Sequence, residues 1–143
     1  MAEALSSSHD RDTRSAAAAL LARTGDANGS EKLAGDLAKE FPNDTLLNSV
    51  WIPIVRASNE MRRDPPKAIS LLEAARSYEL GAVPNGCDYW PNYVRGEGFL
   101  KAQDGTKAAA EYQKILDHRG INPTSPLYTL ARLGLGRGLR AAG

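Results

Sequence analysis

A triad of small and apolar residues recurs along this chain, and its interval limits what the chain can become. Ala34, Ala38 and Phe41 precede Ala68, Leu72 and Ala75 by 34 residues each, and these precede Ala108, Tyr112 and Ile115 by 40. Members of a triad lie four and three residues apart, which puts them on one face of an α-helix. Recurrence at this period indicates a helical unit that is copied and stacked, because one helix pair cannot bury its apolar face alone.

The unit is plainest from Asn92 to Gly120. Tyr93, Gly96, Phe99 and Leu100 give a first helix its apolar side, Ala108, Tyr112, Ile115 and Leu116 a second, and the two join at Asp104-Gly105. Gly96 lets a neighbouring helix come close, and Ala108 is expected to be buried where the second helix crosses the first near it. Upstream, the alanine-rich run from Thr13 to Thr24 favours a helix. Gly25-Asp26 and Asn28-Gly29 stop it, and Ser30 with Glu31 is expected to start the next, which Pro42 ends. From Asn43 to Arg63 a helix buries Leu46, Leu47, Val50, Trp51, Ile54, Val55 and Met61. Pro53 requires either a bend or a place in the first turn after a loose lead-in. Asp64-Pro65-Pro66 is a break, followed by a helix from Lys67 to Tyr78. Gly81 to Pro91 is the longest irregular connection, with Tyr89 and Trp90 available to tie it down. A last helix spans Leu127 to Ala142. Gly134, Gly136 and Gly138 weaken its intrinsic preference, and close packing is the expected reason for at least Gly136.

The fold class expected is therefore all-α, with about seven helices in antiparallel hairpins. Residues 1–12 are expected to be a flexible N-terminus and 13–142 a single domain. A formal net charge of +1 argues against a nucleic-acid module that depends on a strong field. The charge is uneven: from Thr106 onward, Lys107, Lys114, Arg119, Arg132, Arg137 and Arg140 face only Glu111 and Asp117. Cys87 is the one cysteine, which excludes an internal disulfide and a cysteine-based metal site; it is read as a loop bystander. His9 and His118 are too few and too far apart for zinc. No cofactor or metal is expected. No run has the length of a membrane span, Met1 to Ser8 lacks the makings of a signal peptide, and a cytoplasmic rather than exported place is expected.

Gly96 with Phe99, followed by Ala108 with Tyr112, stands at the small-x-x-aromatic and Ala-x-x-x-aromatic spacings of the tetratricopeptide repeat (TPR), which the chain resembles. More specifically, FPNDTLLNSVWIPIVRA, PPKAISLLEAARSYELG, YVRGEGFL and AAAEYQKILDHRG, in that order, resemble the C-terminal TPR-like region of bacterial serine/threonine protein kinases of the acidobacterial kind. The resemblance covers roughly Ala34 to Ala142. It implies a right-handed superhelix of hairpins and a non-catalytic, partner-binding or assembly segment of a larger signalling protein. Arg56 and Asn59 depart from the repeat at the small and aromatic positions of the middle hairpin. Kinase motifs are absent, and His118-Arg119-Gly120 reads as a capping turn.

The TPR resemblance also implies a groove along the first helix of each pair. It projects there Val50, Pro53, Ala57, Glu60 and Met61, then Trp90, Tyr93, Glu97, Leu100 and Lys101, then Leu130, Leu133, Arg137, Arg140 and Ala141. Of these, Leu100, Leu130 and Leu133 are expected to pack in the core. Trp90, Tyr93, Glu97, Lys101, Arg137 and Arg140 form the candidate partner groove. The expected partner is a protein or peptide, acidic rather than basic, or a second copy meeting the C-terminal end, with no nucleic acid and no insertion into a membrane. Two other readings stand beside it: a small enzyme using Glu60, Glu97 or His118, and a purely structural spacer or oligomerisation domain.

Overall fold

Among the described residues an aspartate stands before five of the seven helices, and its task is the same at each. The carboxylates of Asp10, Asp26, Asp44, Asp64 and Asp104 accept hydrogen bonds from the backbone N–H three residues on, at Thr13, Gly29, Leu47, Lys67 and Lys107. Each satisfies one of the orphan donors of a helix start. The structure, a computed structural model, describes residues 10–81 and 89–143.

Helix α1 spans Arg11–Thr24 and α2 Ala27–Glu40. Helix α3 opens with a π-helical turn, Leu47–Trp51, and continues as Ile52–Glu60. Helix α4 runs over Pro65–Leu71 and tightens to a 3-10 helix over Leu72–Tyr78. Then come α5, Trp90–Lys101, α6, Gly105–Asp117, and α7, Leu127–Ala142. No strand occurs among the described residues. Successive helices pack on one another, consistent with stacked hairpins, and α1, α3, α5 and α7 also meet in order along one side.

Two local expectations are corrected. Helix α2 begins at Ala27, earlier than the Ser30 start, because Asp26 takes the capping role. Ser30 is buried instead and accepts from Asn59 Nδ2 of α3 at 3.1 Å. In α7, a methyl group on Gly136 would meet nothing within 4 Å, so close packing does not explain that glycine. The close approaches are at Gly134 and Gly138, two residues to either side and about 200° round the helix.

No loose lead-in precedes Pro53, which follows the π-helical turn of α3 inside a continuous helix. It has no N–H, and its ring crowds the carbonyl four residues back. The π-helical turn widens the backbone there, with the Ile52 N–H reaching the Leu47 carbonyl.

The core runs continuously from Ala18 and Leu37 through Leu47, Ile54 and Val55 to Leu72, Tyr112 and Ile115. Ala108 is fully buried, as expected. The Tyr112 ring lies between glycines of the two flanking first helices: a methyl group would sit 2.8 Å from it at Gly96 and 2.5 Å at Gly134. The absent side chains make room for the ring, which sets the spacing of α5, α6 and α7.

Candidate functional site

Helices α5 and α7 diverge enough to leave a cleft between them, with the Tyr112 ring at its floor. The cleft has a volume of about 470 Å³, and its walls include Tyr93, Glu97, Leu100 and Lys101 of α5 with Leu130, Leu133 and Arg137 of α7. The periodicity of α7 accounts for this. Leu127, Ala131, Gly134 and Gly138 form its buried stripe, and Leu130, Leu133 and Arg137 flank that stripe on the cleft side. Leu130 and Leu133 are 40% and 52% exposed, so the expectation that they pack in the core is corrected. Leu100 is partly buried against the core and also reaches the cleft. Gln103, with a left-handed φ of 60°, turns the chain at the rim and lines the cleft too.

Of the six candidate groove residues, the structure brings Tyr93, Glu97, Lys101 and Arg137 to this cleft. Arg140 is exposed and does not line it, because three residues beyond Arg137 it lies farther round the helix, opposite the buried stripe. Trp90 belongs to a neighbouring, mainly apolar hollow of about 260 Å³ with Ala16, Ala19, Leu20 and Trp51. Of the middle-repeat positions, Val50, Pro53 and Ala57 are buried, whereas Glu60 and Met61 line two other hollows.

Arg23 of α1, which the sequence did not single out, joins these regions. Its guanidinium lies 5.4 Å from the centroid of the Trp90 ring and 5.3 Å from that of Tyr93, and its Nη1 is 2.7 Å from Glu97 Oε2. Burial works against the Arg23 charge, and the Glu97 carboxylate more than offsets it. The Tyr93 hydroxyl donates to Glu97 Oε1 at 3.3 Å. Burial, with the Glu97 charge behind it, raises the pKa of the Tyr93 hydroxyl and, more strongly, that of Tyr112. No carboxylate among the described residues pairs with Lys101 or Arg137.

A second polar cluster, also unforeseen, lies inside the α4–α5–α6 junction. Arg95 is 0% exposed; it pairs with Glu79, donates to Glu111 Oε2 at 3.0 Å, and donates to the Leu72 carbonyl where α4 tightens. Asn92 Nδ2 donates to the same two carboxylates, at 3.1 and 3.0 Å. At Glu111 burial opposes the charge, yet the Lys114 hydrogen bond, the Arg95 charge and Asn92 hold its carboxyl below the usual range. None of these charged groups lines the cleft.

The residues weighed for chemistry stand apart. Glu60 is engaged by Arg63 and Lys67 on the α3–α4 side. Glu97 is held by Arg23, and His118 caps α6 with Nδ1 2.7 Å from the Lys114 carbonyl. No two of them line one cavity among the described residues. Nor do those residues include a group of three placed to hold a metal ion, or a helix long and apolar enough to cross a membrane. Tyr89 is buried, its hydroxyl donating to the His118 carbonyl at 2.8 Å and accepting from the Asn122 N–H at 3.0 Å, which ties the start of α5 to the α6–α7 turn. His9 and Cys87 lie outside the described residues. No protein-family model matches the chain, and no curated protein or solved structure does either.

Proposed function

We propose that this chain is a non-catalytic protein-interaction module, a TPR-like array of hairpins in a right-handed superhelix whose α5–α7 cleft holds an acidic peptide segment with apolar side chains. The observation that carries the reading is the juxtaposition of exposed leucines with cations that no carboxylate among the described residues pairs: Leu130 and Leu133 stand beside Lys101 and Arg137 in one cleft. A peptide there buries apolar area against the leucines, while its carboxylates meet the Lys101 and Arg137 cations. The stretches that resemble the TPR-like region found beside bacterial kinase domains support placing such a module within a larger signalling protein, where the bound segment belongs to the parent chain or to an associate.

Calorimetry with short peptides of leucine and glutamate, and of leucine and lysine, tests this once ultracentrifugation has fixed the oligomeric state. Tighter binding of the acidic peptide is expected, weakening with salt and falling about threefold to tenfold in Arg137→Gln. Equal affinity for the two peptides, untouched by Arg137→Gln and Lys101→Gln, would reject it.

A further inference from the structure

Among the described residues, Glu97 is the only carboxylate lining the two hollows that meet on this side of the molecule. It lines the α5–α7 cleft with Lys101 and Arg137, and it lines the adjoining hollow of about 210 Å³ with Arg23, Arg62 and Lys101. Of these four cations only Arg23 is bonded to it. The bond has a defined geometry. Trp90 and Tyr93, meeting edge to face with centroids 6.0 Å apart, both lie against the guanidinium. Both Glu97 oxygens are engaged, one by Arg23 and one by the Tyr93 hydroxyl. The two side chains are 27% and 32% exposed, so water screens the pair less than it would on an open surface.

We infer that Arg23, although it does not line the cleft, determines the cleft's specificity by neutralising Glu97 from α1 and leaving Lys101 and Arg137 for an acidic partner. The inference rests on the peptide-binding reading above. Without Arg23 the Glu97 carboxylate faces the same cations that the partner's carboxylates require, and it competes for them as well as repelling the newcomer. The aromatic pair explains why the residue is arginine. A planar guanidinium stacks on rings while its edge bonds a carboxylate, which the compact ammonium of lysine does less well. Arg23→Lys therefore restores the charge but only part of the effect.

Fluorescence anisotropy with a labelled leucine–glutamate peptide, at low salt, reads this directly. Arg23→Gln is expected to weaken binding about fivefold to tenfold, and Arg23→Gln with Glu97→Gln to return it to near the level of the unaltered chain. Glu97→Gln alone, which leaves Arg23 stacked and unpaired, is expected to tighten binding. A leucine–lysine peptide moves in the opposite direction in every variant. Circular dichroism confirms the fold of each; if Arg23→Gln fails to fold, the response to Glu97→Gln decides. Failure of the unaltered chain to bind the acidic peptide removes the reading on which the inference rests. Binding by the unaltered chain that neither Arg23→Gln nor Glu97→Gln alters overturns the inference alone, and so does weakening by Arg23→Gln that Glu97→Gln does not reverse.

Discussion

A single ring, that of Tyr112, shows how little separates a fitting residue from a disruptive one. Gly134 lies against it, and an added methyl group would press 2.5 Å from the ring, whereas Gly136 in the same helix has open space. Gly134→Ala is therefore expected to cost about 1–3 kcal/mol by overpacking, and Gly136→Ala to gain about 0.5–1 kcal/mol by relieving a glycine in a helix interior. Urea midpoints moving in opposite directions, at unchanged slope, check both. The small-residue signal in the sequence was sound at Gly96 and Ala108, because spacing alone puts them on the inner face. It misled at Gly136, where three glycines at alternate positions conceal which of them face inward. Arg23 was not legible at all: it sits 74 residues from Glu97, in an alanine-rich helix whose pattern shows a face but not its neighbour.

Among the elements, α5 carries most of the architecture's polar cost. Its buried face holds Arg95 and Asn92; the two terminal guanidinium nitrogens bond to groups on α4, the segment after it, and α6, while Nε has no hydrogen-bond partner among the described residues. Arg95→Leu leaves the Glu79 carboxylate without its cation and Glu111 with only Lys114 and the more distant Arg76, and is expected to destabilise the fold by about 3–5 kcal/mol. Denaturation of this variant beside one that also carries Glu79→Gln and Glu111→Gln checks the cause, since removing the orphaned charges should recover part of the loss. Sequence reading placed the helices of this region well, because Asp64-Pro65-Pro66 and Asp104-Gly105 punctuate it. Nothing in the sequence pattern marked Arg95, since a cation in a helical pattern is ordinarily solvated and only tertiary contact reveals its burial.

For the molecule as a whole, stacking of successive helices makes each layer the cover of the one before it. Helix α7 covers α6: Gly134 meets Tyr112, Gly138 meets Ala109, and Gly105 lies against the backbone of Ala141 and Ala142. Removal of 127–143 uncovers that surface together with the cleft's far wall. The shortened chain is expected to self-associate or to lose its cooperative thermal transition, and size-exclusion chromatography with calorimetric melting distinguishes these from an unaffected monomer. The glycines that let α7 rest so close have another effect. Each disfavours the helical state of the segment by about 1 kcal/mol relative to alanine, so away from α6 it holds little helix. Its interior amides are then protected from deuterium only while it is docked, and they exchange together when it lifts rather than one by one from a fraying end. Amide exchange along α7 is thus a clock for undocking, and an occupant of the cleft, touching α5 and α7 at once, slows that clock.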